Sequence, residues 1–161
     1  MKNLRTIAAL ALVLTASVAH ADFTGEVIGV LDGDTIDVLV DRQPVRVRLA
    51  EIDAPEKRQP FGTRSRQALG EMVFRQTVTV QDQGLDWRGK RTVGRVLIDG
   101  RSVNRAMVAA GMAWVYPKYA KDRSLYAVEA EARAAGRGLW ADKAPVPPWQ
   151  WRTAERAPAE P

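Results

Sequence analysis

Asp34, Arg48, Asp53 and Glu56 are the residues whose types and spacing could do chemistry. Asp34 stands in Asp32-Gly33-Asp34-Thr35, and Asp53 and Glu56 stand in Asp53-Ala54-Pro55-Glu56. Clustered carboxylates repel one another unless a cation lies among them. Oxygen-only ligands suit Ca²⁺ or Mg²⁺. A hard cation beside an arginine is what a phosphodiester needs while charge builds on its equatorial oxygens. A carboxylate just outside the metal shell could orient or deprotonate the attacking water. The Thr35 hydroxyl, next in sequence to Asp34, could hold that carboxylate in place. Each stretch also fits a plainer role. Asp32-Gly33 suits a turn, Asp53–Glu56 suits a loop leading to a capped helix, and Arg48 alone suits a solvated surface.

Other hydrolytic schemes are excluded by composition. The chain has 161 residues, no cysteine and a single histidine, His20. His20 lies in an amino-terminal segment patterned like a secretory signal peptide. Lys2 and Arg5 precede the mostly apolar run Ile7–Val18, and Ala19-His20-Ala21 places small residues where a signal peptidase reads. As a helix that run rises only about 18 Å, too short for a hydrocarbon core of ~30 Å. Cleavage after Ala21 is therefore expected, with a periplasmic or secreted product and no membrane anchor. The remaining 140 residues hold no histidine and no cysteine, which removes Ser-His-Asp, Cys-His and histidine-metal schemes. Residues 42–105 carry 14 Lys+Arg against 7 Asp+Glu, a basic middle suited to a polyanion such as nucleic acid.

The elements that must position the carboxylates are strands. Phe23–Val30 is an apolar-rich run. Ile36, Val38 and Val40 alternate with polar neighbours, and so do Val45, Val47 and Leu49, which predicts a β-hairpin with its turn near residues 42–43. That turn places Asp34 opposite about Glu51, with Asp53 just beyond at the same end. If Val45, Val47 and Leu49 fill the core, Arg48 points outward toward that end. Val78 with Val80, and Thr92–Ile98, predict two further strands, for five in all. Helices are predicted over Pro60–Gln76, from Val103 to Gly111, and over Leu125–Leu139. The segment from Ala141 to Pro161 holds five of the nine prolines and predicts an extended, poorly ordered tail, with Trp149 and Trp151 able to tack part of it down. Strands with inserted helices make an α+β domain over residues 22–140, and a five-stranded barrel with a helix after the third strand is the OB-fold arrangement.

Val30-Leu31-Asp32-Gly33-Asp34-Thr35, Val47-Arg48-Leu49, Ile52-Asp53-Ala54-Pro55-Glu56, Gly89-Lys90-Arg91-Thr92-Val93-Gly94-Arg95 and Asp99-Gly100 with Val103-Asn104 resemble the staphylococcal-nuclease-like (thermonuclease) family in order and spacing. The resemblance runs from about residue 24 to Trp140. It implies an OB-fold barrel with three helices and a Ca²⁺-dependent phosphodiesterase acting on DNA and RNA, leaving 3′-phosphate and 5′-hydroxyl ends. Carried over, it makes Asp34 and Asp53 the calcium carboxylates and the Ala54 carbonyl a further ligand. Glu56 becomes the general base, and Arg48 and Arg91 the phosphate-binding arginines. Arg91 is preferred to Arg95 by its eight-residue spacing to Asp99. Lys90, Trp114 and Tyr116 become substrate-binding residues, the two aromatics lying near the base. The family often has Thr at the Ala54 position, Tyr-Gly at Gly89-Lys90 and Tyr at Trp114. A monomer is expected. The alternative is a non-catalytic OB-fold nucleic-acid-binding protein, against which the complete set Asp34, Arg48, Asp53, Glu56 and Arg91 weighs.

Overall fold

The computed structural model describes residues 21–156, so the signal-peptide expectation lies outside the described residues apart from Ala21. Alternating branched apolar residues build the first sheet. β1 (Phe23–Val30), β2 (Thr35–Val40) and β3 (Gln43–Leu49) pair as an antiparallel meander. A two-residue strand, β4 (Ile52–Asp53), and helix α1 (Gly62–Val73) follow. β5 (Thr77–Leu85) then pairs with β1, and β6 (Thr92–Ile98) pairs with β5. A parallel pairing of β3 with β6 closes the five long strands into a barrel. β7 (Arg101–Ser102) folds back to pair antiparallel with the end of β6, α2 (Val103–Ala109) follows it, and β8 (Trp114–Val115) pairs with β4. α3 (Ser124–Ala134), a 3₁₀ turn (Gly138–Ala141) and α4 (Pro148–Arg156) complete the order. This is the expected α+β barrel of OB type. Val27, Ile36, Val38, Val47, Val78, Val80 and Val96 fill its interior, and Leu69, Val73 and Met107 cap it from α1 and α2. Each fully buried side chain of this size contributes about 1.5–3 kcal/mol.

Three sequence expectations are corrected. The hairpin turn lies at Asp41-Arg42, with φ of 48° and 65°, one residue earlier than expected. A two-residue turn with both φ positive matches the right-handed strand twist. The register pairs Thr35 with Arg48, so Asp34 lies level with Leu49 rather than Glu51. Because the offset is two residues, no side chain changes face. The third predicted helix ends at Ala134, since Gly136 and Gly138 take φ of 60° and 54° and turn Leu139 into the 3₁₀ segment. The tail from Ala141 is not extended throughout: it holds α4, a fourth helix beyond the three expected. Pro148 suits the first helical position, and the ring of Trp149 stacks on Tyr116 at 5.3 Å.

A bend after β3 carries Asp53 to the site. Glu51 there has φ 68°. Buried Asn104 holds the bend, its Nδ2 donating to the Ala50 carbonyl at 2.8 Å and its Oδ1 accepting from Val96 N at 2.9 Å. Replacing it leaves a buried N–H and a buried carbonyl unpaired, each costing about 1–3 kcal/mol. Asn104→Ala should therefore lose about 3 kcal/mol in urea unfolding. A loss below ~1 kcal/mol would show that other contacts hold the bend.

Candidate active site

The end of the hairpin opens into a cleft of about 670 Å³ whose lining includes Asp34, Arg48, Asp53, Glu56, Arg91 and Tyr116. Arg48 is its central contact. Nη1 lies 2.5 Å from Asp34 Oδ1, and Nη2 donates to Asp53 Oδ1 at 2.8 Å and to the Ile52 carbonyl at 3.3 Å. Asp34 is held further by the Thr35 hydroxyl, which donates to Oδ1 at 3.0 Å, and by Ala54 N, which donates to Oδ2 at 2.9 Å. Local packing aims this loop. A Cβ on Gly33 would clash with Ser65 Oγ and with Ala54 Cβ, so only glycine lets the Asp34 turn seat against α1. Asp53 is placed by its strand pairing with Trp114.

Charge in the cleft is unbalanced. Asp34 is 4% exposed and Asp53 is 1% exposed. Burial pushes the Asp34 carboxyl up, but Arg48, the Ala54 N–H and Thr35 outweigh it and hold it below the ordinary aspartate value. Burial and the Asp34 charge leave Asp53 raised, despite its arginine contacts. Burial and Asp34 also push Asp32 up to about 7. At the inner end of the cleft the carboxylates of Asp32, Asp34, Asp53 and Glu56 gather around the Arg48 and Arg152 guanidinium groups, while Arg88, Arg91, Lys118, Lys121 and Arg156 line the rest of it. At that inner end the surplus is negative and the donors are all hard oxygens, which fits a divalent cation of the Ca²⁺ or Mg²⁺ kind. Among the described residues no three carboxylate or imidazole side chains close around one point; the carboxylates are turned toward arginines.

The other expected residues divide. Arg91 lines the cleft from the β5–β6 loop, its Nε donating to Asp86 Oδ2 at 2.9 Å, which leaves its terminal Nη groups to the cleft. Arg95 is committed elsewhere, to buried Glu51 at 2.9 Å. Tyr116 lines the cleft, though Trp149 covers one face of its ring. Trp114 does not line it. It is 7% exposed, packed edge-on to Trp140 at 4.4 Å and to Trp149 at 5.8 Å. Lys90 is exposed and outside the lining, engaged only through its N–H on Asp86 Oδ1. Sequence reasoning missed three residues. Arg152 of α4 reaches Asp53 and Glu56. Glu51 accepts the N–H groups of Lys121 and Asp122 at 2.7 and 2.6 Å. Trp87, 80% exposed beneath the Arg88 guanidinium, stands at the cleft rim. Only Trp87 carried a local signal, an aromatic in the polar loop ahead of Arg91.

The arrangement can hold a hard cation, grip a phosphate by guanidinium groups and present Glu56 to a water. A family model described as "Staphylococcal nuclease homologue" matches residues 46–142. The chain is 46% identical to a micrococcal nuclease of Shigella flexneri over 164 residues, covering 95% of this chain and 94% of that one. It is 52% identical to Protein ParB of Escherichia coli, covering 92% and 90% respectively. It is 50% identical to an uncharacterized endonuclease of Escherichia coli O157:H7, covering 82% and 86%.

Asp86 organises the loop that carries Arg91. Burial pushes its carboxyl up, but the Lys90 N–H and the Arg91 side chain hold it down to about 2. A depressed folded value adds stability above the unfolded pKa of about 3.9, and that stability is lost as pH falls through the folded value. Asp86→Asn should thus lower Tm at pH 7 by about 2–4 °C, and the gap to wild type should close between about pH 4 and pH 2. Thermal melts across that range check it, and a gap independent of pH would remove Asp86 as the charged clamp.

Proposed function

The chain belongs to the staphylococcal nuclease homologue family, and from that premise we propose that it is an exported, calcium-dependent nuclease hydrolysing the phosphodiester bonds of DNA and RNA. One observation carries this reading: the carboxylates of Asp34 and Asp53 meet the Arg48 guanidinium in a single cleft that Glu56 also lines.

Asp34 and Asp53, with the Ala54 carbonyl, would hold the calcium ion. Bound there, Ca²⁺ supplies positive charge and Lewis acidity to a phosphate oxygen. Glu56, with its side chain 38% exposed, orients the attacking water and takes its proton. Arg48 donates to the phosphate through the N–H groups not turned toward Asp34, Asp53 and Ile52. Arg91, clamped by Asp86 at Nε, offers its two Nη groups as a fork. Cleavage of the P–O5′ bond, with the departing 5′-oxygen taking a proton from solvent water, then leaves a 3′-phosphate and a 5′-hydroxyl. Tyr116, flanked by Trp149 and Tyr119, lends an aromatic wall of the cleft to a base, and the basic middle of the chain draws the polyanion in. The signal-like segment of residues 1–21 supports export to the periplasm or beyond.

The direct test incubates purified protein with plasmid DNA and with RNA, in Ca²⁺, Mg²⁺ or chelator, and maps the product ends. Calcium-dependent cleavage of both polymers to 3′-phosphate ends is expected; binding without cleavage in every condition would make the protein a binding module. Asp34→Asn and Asp53→Asn should each weaken calcium binding and nearly abolish cleavage, since each removes a charged oxygen ligand. Full activity of either variant at low calcium would remove that residue from the ligand set. A lysine ammonium lacks the guanidinium fork. Arg48→Lys and Arg91→Lys should therefore lower kcat by about 10²-fold or more, with a much smaller change in Kd for a short oligonucleotide. Unchanged kcat in both would sink the role given to the arginines.

A further inference from the structure

Arg152 contacts two of the cleft's carboxylates and has no part in the reaction above. It lies on α4, beyond the 46–142 stretch matched by the family model. Its Nη2 donates to Asp53 Oδ2 at 2.7 Å, and its Nη1 donates to Asp53 Oδ1 at 3.2 Å and to Glu56 Oε1 at 2.6 Å. Asp53 Oδ1 also accepts from Arg48. Both oxygens of Asp53 are therefore occupied by guanidinium groups, and Glu56 is tied to the same cation. The helix that carries Arg152 is seated independently of the carboxylates. Pro148 is buried, Trp149 stacks parallel to Tyr116, and Gln59 Nε2 donates to the Val146 carbonyl at 2.6 Å just before the helix.

We propose that Arg152 is an internal counter-cation of the cleft, competing with the divalent cation for Asp53 and restraining Glu56, so that α4 sets how much calcium the protein needs. This rests on the calcium site proposed above. Guanidinium N–H groups take three of the four lone-pair sites of Asp53, and a calcium ion arriving at that carboxylate repels the like-charged guanidinium, so calcium loading displaces Arg152 from at least one Asp53 oxygen. The charge balance acts in the same direction. Without Arg152 the metal-free cleft holds one more uncompensated negative charge, which destabilises the empty form and favours the loaded one. A mere brace predicts the opposite sign, because loosening Asp53 would weaken calcium binding. A phosphate-binding arginine predicts no change in calcium affinity in the absence of nucleic acid.

The test is calorimetric titration of Ca²⁺ into the full-length protein without nucleic acid, for wild type, Arg152→Gln and Arg152→Lys. Arg152→Gln should bind calcium about tenfold more tightly or better, while Arg152→Lys, which keeps the charge, stays near wild type. In chelator the Gln variant should melt below wild type, and the difference should shrink or reverse at saturating calcium. Trp149→Ala, which unseats α4 without touching a carboxylate, should tighten calcium binding in the same direction and serves if the Gln variant does not fold. Equal or weaker binding by Arg152→Gln, with wild type binding normally, overturns the competition alone. No calcium binding by any of the proteins overturns the calcium site and the competition with it.

Discussion

Two carboxylates that are almost fully buried cannot face each other without a cation, and Arg48 is the cation this chain builds in. Its two terminal nitrogens take one carboxylate each, Asp34 at 2.5 Å and Asp53 at 2.8 Å. Moving a charge out of water costs several kcal/mol even after relaxation, and one guanidinium cannot offset two such penalties. The remainder is distributed over the Thr35 hydroxyl, the Ala54 N–H and Arg152. That distribution is incomplete, as the raised carboxyls of Asp53 and Asp32 record. The paired buried carboxylates of Asp34 and Asp53 are therefore a place that a hard cation would stabilise.

The barrel earns its place by fixing distances that no local segment could fix. Arg48 reaches Asp34 because Thr35 and Arg48 are register partners in the β2–β3 hairpin. Arg91 belongs to the same cleft because β3 and β6 run parallel, with Val47 beside Thr92. Asp53 arrives through the bend at Ala50-Glu51, which is stitched to α2 by Asn104 and to the segment before α3 by Glu51. Glu51 is thus an acid in the middle of an acidic region that serves structure alone: its lone pairs are taken by two backbone N–H groups and Arg95. Burial opposes its ionisation, yet those donors hold its carboxyl below the ordinary value.

Much of this was legible in the sequence, because the signals were local or were doubled by a family pattern. Period-two alternation located β2 and β3, apolar residues marked the other three long strands, and the hairpin brought Asp34, Arg48 and Asp53 to one end despite a register wrong by two residues. That error came from an uncommon turn pair, Asp41-Arg42, where Asn-Gly would have announced the turn. What stayed hidden depends on contacts between distant segments. Trp114 reads as a substrate-facing aromatic until Trp140 and Trp149 close over it. Arg152 meets Asp53 across 99 residues of chain, and nothing in Trp149-Gln150-Trp151-Arg152 announces that meeting. The prolines around α4 suggested an extended tail, although Pro148 begins the helix rather than preventing it.

Arg48, Arg91 and Arg152 of the cleft and the neighbouring Arg95 are sorted by which nitrogen each gives to the protein. Arg95 spends a terminal Nη on Glu51, a buried acid, and so turns its fork inward. Arg91 is held at Nε by Asp86, which fixes the side chain while leaving both Nη groups forward. Arg48 is held at both Nη groups and keeps only its outer N–H groups and a side chain 17% exposed. Arg152 is bound through both Nη groups to Asp53 and Glu56, on a helix whose seat is aromatic rather than ionic. A guanidinium has five N–H donors in a rigid plane, so the edge anchored to protein dictates the edge left for a ligand. On that criterion Arg91 is presented to an incoming phosphate, Arg95 braces the fold, and Arg48 links the two duties. Arg152 differs because both of its anchors are groups the reaction itself would claim.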